Sequence, residues 1–345
     1  MTSKQLVLNT LNFQNKTERA PHDLWTLPWV NDHHPKELQQ LLNAFEWDFD
    51  RPDVIYHEAS KVEKGDPYEV GEYVDPWGCV FTNINKGVIG EVKQPLIDPD
   101  DEEWDDVSGI TIPEEQLSFD IEQVNRSCAE KSDKFLLSAG ITPRPFEQLQ
   151  FIRSTEALYV DLMFRPKKMM QFIEKMHDFY CRLLEKWAQT DVDGLMFMDD
   201  WGSQKSLLIN PQTWREIFKP LYKDYIDIAH QHNKKIFMHS DGYTLEIIPD
   251  LIELGLDAIN AQIFCMGAEN LAPFKGEITF WGEICRQHIL PYGTVSDVTN
   301  AVKEIYDHLW QDGGCIAQCE FGAGGKPENV TEVYAAWDRL TGSRA

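Results

Sequence analysis

An apolar run, Ile236-Phe237-Met238, ends abruptly in His239-Ser240-Asp241-Gly242-Tyr243. A buried parallel strand delivers polar groups in this way to the open, C-terminal edge of a sheet or barrel. Residues two apart on a strand point to the same side, so His239 and Asp241 share a face. That face offers an imidazole and a carboxylate, the start of a metal site or an acid–base pair.

The same grammar recurs from residue 118 onward. Strands are expected at 134–140, 194–198, 258–260, 278–283 and 315–320, besides the one at 236. Helices are expected at 117–129, 210–230, 245–254, 295–310 and 327–340, and over 145–187 with breaks near Ser154 and at Pro166. Strands joined by helical crossovers imply a parallel sheet with right-handed connections. With an early strand at 54–56 and one further strand, the count reaches eight. The expected fold is therefore a (β/α)8 TIM barrel rather than a doubly wound sheet. No glycine-rich phosphate loop follows any of these strands.

The N-terminal third differs. Residues 21–29 read as a packed segment with two tryptophans and two prolines, and 35–45 as a helix. Residues 64–97 alternate short β-forming runs with Gly and Pro, the pattern of an antiparallel meander. They read as an N-terminal β-rich insertion or lid. The acidic stretch 98–106 reads as solvated surface. Residues 1–115 are thus expected to join the barrel domain together with this insertion, and 116–345 to form the barrel core.

A formal charge of −25 over 345 residues sets limits on partners. No basic stripe exists to neutralise phosphates, so nucleic acid and anionic membrane are excluded as partners. No signal-like segment is visible, and no run reaches the ~18 apolar residues of a membrane span. Seven cysteines (Cys79, Cys128, Cys181, Cys265, Cys285, Cys315, Cys319) show no framework spacing. That fits free thiols in a reducing cytoplasm.

Residues just after barrel strands share one rim. The expected strand ends collect Asp199, Asp200, His239, Asp241, Gln262, Glu283, Cys319 and Glu320. Zinc takes thiolate, imidazole and carboxylate ligands, and a catalytic zinc keeps an open position. His239 and Cys319, with Asp241, Glu320 or Glu283, offer such a set. The structural alternatives are a hydrogen-bonded strand-end histidine and a buried small hydrophobe. The neighbouring carboxylates Asp199 and Asp200 offer acid–base chemistry, as does Glu283; the alternative for an aspartate here is to cap a helix. Arg144, just past a strand, is placed to hold a substrate carboxylate, whereas Arg153 reads as a surface ion pair. Trp201, Tyr243 and Gln262 are candidate pocket walls, with core packing the alternative for the aromatics.

Several motifs in order resemble the uroporphyrinogen decarboxylase-like superfamily. They are Asp199-Asp200-Trp201-Gly202-Ser203-Gln204, Leu208-Ile209-Asn210-Pro211, Lys219-Pro220-Leu221-Tyr222, Met238-His239-Ser240-Asp241-Gly242, Ile248-Pro249-Asp250-Leu251, Phe280-Trp281-Gly282-Glu283 and Lys326-Pro327-Glu328-Asn329-Val330. The match covers about 130–340. The resemblance implies a (β/α)8 barrel and two kinds of enzyme. One is the porphyrinogen decarboxylase, whose arginine-rich N-terminal motif grips propionates; residues 23–29 carry no arginine. The other is the zinc-dependent methyltransferase serving thiols and corrinoid proteins, with a His-x-Cys pair and a distant Cys. Here His239 matches, Cys319 fits the distant thiolate, and Asp241 stands where the middle Cys would be. The resulting expectation is a zinc methyltransferase acting on a small molecule or thiol, with a corrinoid bound by a partner protein. The alternatives are a decarboxylase of the uroporphyrinogen type and a non-catalytic small-ligand-binding barrel.

Overall fold

In a computed structural model the described residues are 1–342. Eleven strands run in chain order: β1 (His22–Thr26), β2 (Phe49–Asp50), β3 (Gly71–Val74), β4 (Val80–Asn83), β5 (Glu91–Gln94), β6 (Phe135–Leu136), β7 (Gly194–Met198), β8 (Lys235–Ser240), β9 (Ala258–Ala261), β10 (Thr279–Trp281) and β11 (Cys315–Phe321). Six form one parallel sheet in the order β1-β11-β10-β9-β8-β7. The parallel pair β2-β6 lies between its two ends. On one side the Asp48 N–H donates to the His22 carbonyl at 3.0 Å, and on the other the Ser138 N–H donates to the Gly194 carbonyl at 3.0 Å. The result is a curled parallel α/β sheet consistent with a (β/α)8 barrel. No helix among the described residues is long and apolar enough to cross a membrane.

The early strands fall elsewhere than expected. Val54–Tyr56 forms no strand; only Tyr56 makes an isolated bridge, to Phe119. The barrel instead uses β1 and β2. β1 carries no apolar run to betray it, because its inward residues are Asp23 and Trp25. The Asp23 carboxylate accepts from the indole N–H of Trp25 and of Trp281, each at 2.9 Å. Burial pushes the Asp23 carboxyl up to about 6. The helical stretch 145–187 breaks where expected, into Pro145–Arg153, Thr155–Phe164 and Lys167–Ala188.

Strand parity sorts the side chains. Phe135, Met196, Phe237, Ala258, Trp281 and Ile316 fill the barrel interior together with Val7 and Leu11. The last two belong to the helix Ser3–Leu11, which plugs that end. Alternate residues such as Leu195, Phe197, Ile236, Met238, Ala317 and Cys319 pack outward against the helices. At the opposite end, β3, β4 and β5 form a three-stranded antiparallel sheet. Its residues Tyr73, Phe81, Glu91 and Val92 line the same ≈ 860 Å³ cavity as the ends of the barrel strands.

Candidate metal centre

His239 stands at the cavity floor, level with Met198 on β7 and Asn260 on β9. Its tautomer is set by Asn260. The Asn260 amide nitrogen donates to the Trp281 carbonyl and, at 3.1 Å, to Gln318 Oε1. Its Oδ1 is therefore left to accept, and lies 2.6 Å from His239 Nδ1. With the proton on Nδ1, the Nε2 lone pair is free. It faces Asp200 Oδ1 at 3.6 Å and Asp241 Oδ1 at 3.7 Å. Ligating histidines are held by an outer hydrogen bond of this kind. Replacing Asn260 with Ala is expected to weaken the affinity of this candidate site for a metal ion about 10–100-fold while the far-ultraviolet circular dichroism stays native; metal titration reads this out.

The two carboxylates arrive on crossing loops. The Gly202 N–H donates to the Asp241 carbonyl at 3.0 Å, and the Tyr243 N–H to the Ser203 carbonyl at 2.8 Å. The Asp241 N–H donates to Asp200 Oδ1 at 3.0 Å. Gly242, at φ +78°, allows the crossing: a Cβ there would meet the Gly202 carbonyl oxygen at 2.0 Å. Asp200, His239 and Asp241 thus present one ligand atom each, all within 4.8 Å of one another.

Arg286 was not singled out from the sequence, yet it closes the other side. Its guanidinium pairs with Asp241 Oδ2, and reaches Glu283 Oε1 and Glu320 Oε2 at 3.5 Å each. Glu147, also missed, faces the cavity and pairs with Arg144 at 3.2 Å. Burial pushes the Glu147 carboxyl up. Burial likewise pushes the Glu283 carboxyl up to about 7. Arg286 and Glu147 follow turn or helix-start segments rather than strands, so a survey of strand ends passes over them.

Four expected site residues lie elsewhere. Cys319 points outward: it is fully buried, with Sγ 3.6 Å from the Tyr334 hydroxyl, and burial pushes its thiol up to about 12. Asp199 also points outward. It caps the helix Pro145–Arg153, accepting from the N–H groups of Phe146 (3.1 Å) and Glu147 (2.8 Å) and from the Tyr222 hydroxyl (2.6 Å). Burial pushes its pKa up against those three donors. Trp201 is fully buried, stacked on Phe146 at 4.1 Å and donating to the Tyr222 hydroxyl at 2.8 Å. Tyr243 packs against the helical core. Arg144, Asp200, His239 and Glu320 line the main cavity, while Gln262 and Glu283 line a smaller one beside it. Arg153 is no surface pair: it is buried against Asp161 at 2.7 Å.

The family model described as uroporphyrinogen decarboxylase (URO-D) matches residues 80–340, well over half of the chain. No curated protein matches it. Among solved structures, a methyltransferase from Methanosarcina mazei is similar at a TM-score of 0.67. The likeness covers 99% of each chain at 14% identity, a likeness of fold.

Proposed function

This chain belongs to the uroporphyrinogen decarboxylase (URO-D) family, and we propose that within it the protein is a metal-dependent methyltransferase. The reading rests above all on the His239 Nε2 lone pair aimed between two carboxylates. Zinc is the proposed ion, held by His239, Asp200 and Asp241. The donors fit it: one imidazole with a fixed tautomer, and two oxygens at ligand spacing. Asp241 Oδ1, buried, has no hydrogen-bond partner in the protein. When bound, such an ion acts as a Lewis acid that holds a substrate thiol as thiolate.

The remaining work falls to the chain itself. Asn260 holds the imidazole with its Nε2 toward the two carboxylates. Glu283, with both carboxylate oxygens unpartnered, is the buried polar group that lines the adjoining cavity and faces substrate there. Arg286 steadies the surrounding carboxylates, Asp241, Glu283 and Glu320. Residues 71–94 act as a lid over the cavity, an insertion in the segment 1–115, which also supplies β1 and β2 to the barrel. The methyl donor is proposed to be a small molecule or a corrinoid carried by a partner protein, the structural likeness to a methyltransferase being consistent with this.

The cavity disfavours the decarboxylase reading. Its walls carry Asp75, Glu91, Glu147, Asp200 and Glu320 against Arg144 and Arg286. Both guanidiniums are already paired, so a polycarboxylate would meet net negative charge.

Elemental analysis tests the assignment. The wild type and Cys319→Ser are expected to hold about one zinc each, because Cys319 lies outside the cluster. Absence of metal from the wild type, or loss of metal in Cys319→Ser, would overturn it.

A further inference from the structure

A second cavity of ≈ 310 Å³ adjoins the first, sharing Arg286 as a wall. Its other walls include Glu283, Gln262, Phe264, Cys265 and Lys205. Its volume sits at the lower end for a small-molecule site.

The polar groups around it are specific. Glu283 is 3% exposed, and neither carboxylate oxygen has a hydrogen-bond partner in the protein. Arg286 approaches Oε1 only to 3.5 Å. A buried carboxylate without donors is costly, and a ligand that brings N–H groups removes that cost. Arg286 does not discharge it, since Asp241 and Glu320 claim the same guanidinium. If Asp241 is given to the ion, Arg286 still faces two carboxylates, so one negative charge is left over. Lys205, by contrast, is exposed and lines the same cavity with no ion-pair partner within reach among the described residues. The cavity therefore offers a buried carboxyl and an exposed cation, with Phe264 also on its wall.

We propose that this side cavity binds a small zwitterion of amino-acid type, its protonated amine donating to Glu283 and its carboxylate facing Lys205. The inference rests on the methyltransferase reading in one respect: the zwitterion is then the small substrate of that reaction. Gln262 lines the same cavity as Glu283 and offers the ligand a further polar contact.

Calorimetric titration of the full-length, metal-analysed protein provides the test. The probes are 2-aminobutyrate, butyrate (no amine) and 1-aminopropane (no carboxylate). 2-Aminobutyrate is expected to bind about tenfold or more tightly than either partial probe, the cost of leaving a buried charge unpaired. Glu283→Gln is expected to lose about tenfold for 2-aminobutyrate and 1-aminopropane but not for butyrate. Lys205→Ala is expected to weaken 2-aminobutyrate and butyrate only. Lys205 is exposed, so that variant keeps the test valid if Glu283→Gln fails to fold. Equal binding of 2-aminobutyrate and butyrate, or no binding of any probe, overturns the proposal. Metal content separates the two readings. A metal-free protein that still discriminates the probes sinks the methyltransferase reading alone. A metal-loaded protein that ignores them sinks this one alone.

Discussion

His239→Ala is expected to empty the proposed metal centre: zinc content falls below about a tenth of the wild-type value, and the proposed methyl-transfer turnover falls about 10³-fold or more. Losing the ion removes several kcal/mol of transition-state stabilisation, and each 1.4 kcal/mol is about tenfold in rate. No other nitrogen ligand adjoins Asp200 and Asp241 in the cluster. The fold is expected to persist, because the imidazole faces the cavity rather than the packed core. Elemental analysis after gel filtration reads the outcome. A stoichiometric ion in His239→Ala would move the metal elsewhere in the molecule.

Asp199→Ala is expected to do the opposite, lowering stability while sparing the metal. The substitution strips an acceptor from two backbone N–H groups and a buried tyrosine hydroxyl at once. Each orphaned buried group costs about 1–3 kcal/mol, so for three of them a loss of about 3 kcal/mol or more follows. Urea unfolding followed by tryptophan fluorescence reads it as a lower midpoint at unchanged slope. The helix that Asp199 caps carries Glu147 to the cavity, so a modest loss of activity is expected as well. If instead Asp199→Ala folds as stably as wild type yet loses its zinc, Asp199 belongs to the metal centre and the assignment of its neighbour is wrong.

These two variants separate residues that the sequence treats alike. Asp199 and Asp200 are adjacent carboxylates at one strand end, and Cys319 and Glu320 are adjacent ligand types at another. A strand turns successive side chains to opposite faces, so in each pair one member enters the barrel and the other meets a helix. The inward series on β11 is Ile316, Gln318 and Glu320, which leaves Cys319 against Tyr334. The family pattern led to the distant thiol, and strand parity placed it outside the cluster. Arg286 and Glu147 escaped for a different reason. Their positions depend on loops and a helix start folding back over the cavity, contacts set by tertiary packing alone.

The alternation of strand and helix from residue 118 onward, the breaks at Ser154 and Pro166, and the family are all legible in the residues alone. Apolar periodicity and punctuation by Gly and Pro are local signals, and those features are local. His239 and Asp241 are likewise marked as sharing a face, because two-residue spacing needs no partner strand. That β1 completes the sheet is a matter of tertiary contact: its inward Asp23 is polar, and its burial is met by the indole N–H of Trp281 on β10. Asp200 reaches His239 through tertiary contact alone. That meeting depends on two loops crossing at Gly202 and Gly242, residues forty positions apart whose closeness no local pattern encodes.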